Sequence, residues 1–247
     1  MQLTVIGSGD AFGSGGRLQT CFHVTHSGGA FLIDCGATSL IGLFREGIDP
    51  NSIGTILITH LHGDHFSGLV WWLIHAIHVS KRTTPLVVTG PEGIEERFTA
   101  TTEALFPGAT KTPRPFQLIF RTYREREPMT IAGVTVTPFE VSHPSGAPPY
   151  ALRISVDGKT LAFSGDSEWV DSLVDAARAA DLYITECYAY ETAARYHLNW
   201  RTIETQLPRI GAKTVLLTHM GLEMLANAAK IAHPVVTIAA DGMKITI

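Results

Sequence analysis

Three cysteines, Cys21, Cys35 and Cys187, are spread through 247 residues, odd in number and without a CxxC pair. That excludes a disulfide framework or a paired-thiolate zinc site and leaves buried free thiols. Long apolar runs are also missing: stretches such as Leu69 to Ile74 fall far short of the roughly 20 residues that cross a bilayer. The opening MQLTVIGSGD carries no basic leader. These absences predict a cytoplasmic protein with no membrane partner. Basic residues are not in excess either: 19 Lys and Arg stand against 23 Asp and Glu, a net charge of -4, which argues against a broadly basic nucleic-acid surface. No repeat, low-complexity tract or linker interrupts the chain. With 45% apolar and 17% charged residues, the sequence reads as one folded domain over residues 1–247.

What is present is a change of pattern along the chain. Strands are predicted at Leu3 to Ile6, Leu18 to Thr25, Phe31 to Asp34 and Ile53 to Ile58, with glycine-rich turns between them. A helix follows over Ser67 to Val79, then a strand at Leu86 to Thr89 and a helix in GPEGIEERFTATTEALF. Strands return at Val134 to Val141, Ala151 to Val156 and Thr160 to Ser164, the last two joined by Asp157-Gly158, a hairpin signal. The final third alternates helix and strand: Trp169 to Ala179, Leu182 to Thr185, Ile203 to Ile210, Thr214 to Thr218, a short helix, and Val235 to Ala239. Strands first and alternation later imply a layered α/β protein.

The densest chemistry is ITHLHGDHFSGL, residues 58–69, which places His60, His62, Asp64 and His65 where a buried strand hands over to a helix. Loops at strand ends are where α/β proteins build their sites. His60 and His62 alternate along an extended backbone, Asp64 and His65 turn with the helix, and Gly63 eases the bend. Imidazole and carboxylate together suit zinc, with manganese or iron as alternatives. Downstream, His143 in VSHPSG, Asp166 in SGDS and His219 in THMG each lie just past the end of an apolar strand. That shared placement gathers them on one sheet edge.

HxHxDH followed by a lone His, an Asp and a final His resembles the metal signature of the metallo-β-lactamase fold superfamily, and the resemblance runs over nearly the whole chain. It implies an αββα four-layer sandwich, two mixed sheets flanked by helices. It also implies two divalent metal ions: His60, His62 and His143 hold one, Asp64, His65 and His219 the other, and Asp166 bridges them. VIGSGDAFGSGGR, with Asp10, is similar to the opening glycine loop of the ribonuclease Z and cyclic phosphodiesterase branch. FLIDCG matches a segment whose aspartate, here Asp34, supports the metal loop; such a carboxylate fixes the tautomer of a ligating imidazole. Glu186 and His197 in ITECYAYETAARYHLNW match the glutamate–histidine pair of ribonuclease Z, a general acid held by a carboxylate. In the mechanism so implied, Asp64 orients the attacking hydroxide and His197 protonates the leaving oxygen with Glu186 behind it.

Departures narrow the expectation. ALFPGATKTPRPFQLIFRTYREREP is too short for the arm with which ribonuclease Z grips tRNA, and Gly221-Leu222-Glu223 lacks that enzyme's arginine–tyrosine ending. Its basic residues, Lys111, Arg114, Arg121, Arg124 and Arg126, read as a solvated loop. The cysteine-containing zinc cluster of the cyclic phosphodiesterases is absent as well. His75 and His78 read as residues of a covering helix, and Tyr188, Tyr190 and Trp200 as a wall beside the site. The leading expectation is a phosphodiesterase acting on a small-molecule or nucleotide-like diester. The alternatives are a lactonase or thioesterase, a tRNA-processing nuclease acting on nucleic acid, which the missing arm disfavours, and a non-catalytic metal-bearing module. Relatives of this branch often pair as homodimers, but no interface signal stands out in this sequence.

Overall fold

The computed structural model describes residues 1–247. The chain opens with an antiparallel meander, β1 (Gln2–Gly7), β2 (Cys21–His26) and β3 (Gly29–Ile33), and then turns parallel. Helix α1 (Ser39–Arg45) leads to β4 (Ile53–Leu57), which pairs parallel with β3. Two helical pieces, α2 (Gly63–Phe66) and α3 (Gly68–His78), cross to β5 (Leu86–Gly90), and α4 (Ile94–Leu105) crosses to β6 (Leu118–Thr122). β4 is apolar nearly throughout, as a parallel strand covered on both faces must be.

The second half repeats the plan. β7 (Met129–Ile131), β8 (Val134–Glu140), β9 (Tyr150–Val156) and β10 (Lys159–Phe163) form an antiparallel meander. α5 (Ser172–Ala177), β11 (Leu182–Glu186), α6 (Trp200–Ile210), β12 (Val215–Thr218), α7 (Leu222–Asn227) and β13 (Val236–Ile238) then continue in parallel. Asp157 and Gly158 both take positive φ (52° and 71°), as the β9–β10 hairpin turn requires. A last strand, β14 (Lys244–Thr246), returns to pair antiparallel with β1.

Two seven-stranded mixed sheets result, ordered β14-β1-β2-β3-β4-β5-β6 and β13-β12-β11-β10-β9-β8-β7. Phe22, Phe31, Leu152 and Phe163 fill the space between them, Phe22 meeting Phe163 edge to face at 5.3 Å. A second apolar cluster, with Trp72, Phe98 and Leu43, seals the first sheet under α1, α3 and α4; a third, with Trp200, Leu173 and Met224, seals the other under α5, α6 and α7. These are the expected four layers, α, β, β and α.

The elements the sequence reading lacked are α1, β6, β7 and β14. β6, β7 and β14 are short and lie at sheet edges, where partial exposure blurs the alternation. β6 falls inside the basic segment that reads as loop. α6 begins three residues before the expected Ile203, because Asn199 caps it by accepting from the Thr202 N–H at 2.8 Å. α5 is shorter than expected at both ends.

Two close approaches set the position of the His60–His65 loop. The turn after β3, Asp34-Cys35-Gly36, lies directly on it: the Cys35 N–H donates to His65 O at 2.6 Å, and the Gly68 N–H donates to Cys35 O at 2.9 Å. A Cβ on Gly36 would collide with the Asp64 carbonyl, and one on Gly68 with the Gly36 carbonyl. Both positions therefore require glycine for reasons of space.

At the opposite ends of β4 and β5, Arg82 is buried, 1% exposed, without a carboxylate in hydrogen-bond contact. Its guanidinium donates to the carbonyls of Pro50 (3.3 Å), Ile53 (2.9 Å), Thr84 (2.8 Å) and Pro85 (2.8 Å), stitching the segments that precede the two strands. Arg82→Met strands those carbonyls away from water and should cost about 3 kcal/mol, read as a lower urea midpoint with the slope unchanged. Arg82→Lys should not recover it, since an ammonium cannot span the same fork.

Candidate metal centre and active site

Strand ends deliver the cluster. β4 runs into His60 and His62, and α2 carries Asp64 and His65. From the facing sheet, β8 leads to His143, β10 to Asp166 and β12 to His219. β8, β10 and β12 share a direction, so their C-terminal ends open on one edge beside that of β4. One donor atom each from His60, His62 and His143 lies within 4.8 Å of the others, and the same holds for Asp64, His65, Asp166 and His219. Asp166 stands between the groups: its oxygens are 3.3 Å from His65 Nε2 and His219 Nε2 and 3.9 Å from His60 and His143 Nε2.

Two of the imidazoles, His65 and His143, are aimed by a partner behind them. Asp34, fully buried, accepts from His65 Nδ1 at 2.6 Å, from the Thr59 N–H at 2.7 Å and from the Thr59 hydroxyl at 2.8 Å. His143 Nδ1 donates to the Tyr196 carbonyl at 2.9 Å. These contacts put the proton on Nδ1 and turn Nε2 toward the cluster. His219 sits at φ 54°, unusual for a side chain, and its N–H is held by Ser8 O at 3.1 Å. Ser8 is in turn clamped by Asp241, which accepts from the Ser8 N–H (2.9 Å) and hydroxyl (2.7 Å) and from the Leu18 N–H (2.8 Å). Asp10 lines the cleft, yet its carboxylate serves its own loop, accepting from the Phe12 and Ser14 N–H groups and the Ser14 hydroxyl.

The donor set fits divalent cations on the protein's own terms. His60 Nε2, His65 Nε2 and Asp166 Oδ1 are buried without a hydrogen-bond partner, a costly state for so many polar atoms in one place. Burial lowers the pKa of His60 well below the ordinary value and that of His143 to about 4, so both present neutral, ligating imidazoles. Burial also opposes charge on His65, but Asp166, Asp64 and Asp34 outweigh it and its pKa stands well above the usual range. Asp64 and Asp166 are held low by the surrounding histidines despite burial, and remain anionic. A cation entering here replaces protons on the histidines and relieves the repulsion between the two carboxylates.

Glu186, at the end of β11, is fully buried. It accepts from His197 Nδ1 at 3.1 and 3.2 Å and from the Ser167 N–H at 2.6 Å. Burial pushes the Glu186 carboxyl up, while on His197 the contact with Glu186 overcomes burial and raises its pKa to about 9. The pair thus carries a proton at neutral pH. The His197 ring packs against both Tyr188 (4.9 Å) and His219 (5.6 Å) and borders an open cleft of about 740 Å³ above the cluster. Of the expected aromatic wall only Tyr188 faces this cleft; Tyr190 and Trp200 are buried in the core beneath α6. His75 and His78 lie far from it in the outer layer, His75 against Phe44. Besides two alanines, Ala11 and Ala194, two lining residues have no role in the sequence reading: Arg195, which brings the cleft's one basic chain beyond the histidines, and Phe12. An aromatic residue amid the glycines of DAFGSGG was the available signal for the second.

This fold with this cluster defines a metallo-β-lactamase fold protein. The chain is 25% identical over 241 residues to ribonuclease Z of Mycobacterium bovis, an alignment covering 89% of this chain and 85% of the relative. Human tRNase Z, short form, superposes with a TM-score of 0.82 at 24% identity, over 100% of this chain and 99% of that one. The metallo-β-lactamase fold protein YhfI of Bacillus subtilis does so at 0.79 and 23%, covering 99% of both. Residues 1–237 match the family described as anti-Pycsar protein Apyc1, and the chain belongs to that family.

Asp34→Asn replaces the acceptor of the His65 Nδ1–H by an amide while preserving shape. Zinc affinity, measured by chelator competition, should fall ten- to a hundredfold with an unchanged circular dichroism spectrum.

Proposed function

We propose that the protein is a metal-dependent hydrolase with a dinuclear site, acting as a phosphodiesterase on a small or nucleotide-like diester. The observation that carries this reading is the Glu186–His197 pair at the lip of the cluster: a protonated imidazole held by a buried carboxylate. His60, His62 and His143 would hold one ion, Asp64, His65 and His219 the other, with Asp166 shared, and zinc is the first choice for this donor set. When bound, such ions supply Lewis acidity, making water nucleophilic near neutral pH and drawing charge from phosphoryl oxygens. Asp64 orients the attacking water by accepting its hydrogen bond. With Nδ1 committed to Glu186, His197 delivers a proton from Nε2 to the leaving oxygen. Arg195, at the cleft wall, attracts the anionic diester. Carbonyl esters such as lactones and thioesters need less help at the leaving atom, so a buried carboxylate spent on a proton donor favours the phosphodiester. The names of the ribonuclease relatives agree with this class of bond.

The direct test is turnover of bis(p-nitrophenyl) phosphate by protein of counted metal content, reconstituted separately with zinc and manganese. Asp166→Ala should lose both metal and turnover. His197→Ala should retain the metal and lose about a hundredfold or more in kcat; full turnover in that variant would remove His197 from the mechanism.

The pH profile gives an independent check. His197 acts in its protonated form, so turnover should decline as pH rises through about 9. In Glu186→Gln the supporting anion is gone, the His197 pKa falls back toward its ordinary value of 6.5, and the decline should move to lower pH.

A further inference from the structure

Phe12 is 85% exposed, the most exposed large apolar side chain of the protein, although its loop is not loose. Asp10 accepts from the Phe12 N–H at 3.2 Å and the Ser14 N–H at 2.9 Å, and Gly13 N–H donates to Asp10 O at 3.2 Å. The ring is thus presented to solvent on a fixed turn, directly at the rim of the cluster. Beside the metal cleft lies a second open lobe of about 720 Å³, and Phe12 and Tyr188 line both.

The second lobe differs in character from the first. Its floor is the Tyr188 ring pressed against Gly221, where any Cβ would come within 3.1 Å of the ring. Leu222, 71% exposed, forms another side. No basic side chain lines it, and its one charged residue is Glu223, whose Oε1 accepts from the Glu191 N–H at 3.0 Å. Such a lobe disfavours a second phosphate and suits a flat uncharged group with N–H donors. Its continuity with the cleft means that its occupant is tethered to the reacting group.

We infer that Phe12, with Tyr188 and Leu222, forms a subsite for a planar, uncharged heteroaromatic substituent of the substrate, and that Phe12 sets specificity by stacking on it. The inference rests on the phosphodiesterase reading for its kinetic test but not for its binding test.

The kinetic test pairs two diesters with one leaving group, thymidine 5′-(p-nitrophenyl) phosphate and ethyl p-nitrophenyl phosphate, on metal-reconstituted protein. Wild type should prefer the nucleoside ester by about tenfold or more in kcat/KM, mainly through KM. Phe12→Ala should collapse that preference toward unity and Phe12→Trp should restore it. A preference untouched by Phe12→Ala overturns the subsite and leaves the phosphodiesterase standing. The binding test titrates thymidine 5′-monophosphate and, separately, inorganic phosphate. Phe12→Ala should weaken the nucleotide about tenfold and phosphate less than twofold; equal effects, or none, overturn the inference. A nucleotide contrast in a protein that cleaves neither diester supports the subsite and removes the phosphodiesterase reading.

Discussion

A single carboxylate ties both ends of the His60–His65 loop. Asp34 takes the Thr59 backbone N–H and hydroxyl at the entry and the His65 ring at the exit, so the intervening five residues have one shape open to them. Burying an anion away from water is expensive, and it is tolerated here because three donors converge on it. The interlocked turn of Gly36 and Gly68 then presses that loop against the first sheet. Without the Asp34 contacts, His60 and His65 would be free to rotate and the convergence with the second sheet would lose its meaning.

Two sheets built on the same antiparallel-then-parallel plan meet at an edge, and each brings what the other lacks. The first supplies a compact loop with four donors; the second supplies His143, Asp166 and His219 from three separate strand ends, together with the Glu186–His197 pair. The electrostatic division follows this geometry. His60 and His143, each near Asp166 alone at 3.9 Å, are kept neutral by burial, whereas His65, against Asp34, Asp64 and Asp166, retains a proton that a cation can displace. His197 differs because its carboxylate, Glu186, stands behind it on Nδ1 and raises its pKa, which keeps a proton beside the cluster.

Much of this was legible in the sequence, for identifiable reasons. Apolar runs ending in His60, His143, Asp166 and His219 are strand ends by pattern, and strand ends are where such residues converge. The Asp157-Gly158 turn was readable because positive φ at two successive residues demands those residue types. Three kinds of information were not local. Edge strands such as β6 and β14 are short and half wet, so their pairing depends on a neighbour distant in sequence. The aromatics of the 188–200 segment alternate between cleft and core by turns of an irregular loop that no period describes, which is why Tyr188 and Tyr190 part company. Asp241, in a turn that gives no motif, acquires its role only through contact with residues 8 and 18.

That last contact has a consequence for the order in which the molecule assembles. Ser8 and Asp241 are 233 positions apart, and the strand after Asp241 pairs with the strand before Ser8. β1 finds its first neighbour, β2, close by in sequence, but the Ser8 turn is completed only by a segment distant from it. Topology of this kind slows folding, since loop-closure entropy is spent before the long-range contacts return it. His219 leans on this clamp through the Ser8 carbonyl, so the last histidine of the cluster is placed only once that distant turn has closed.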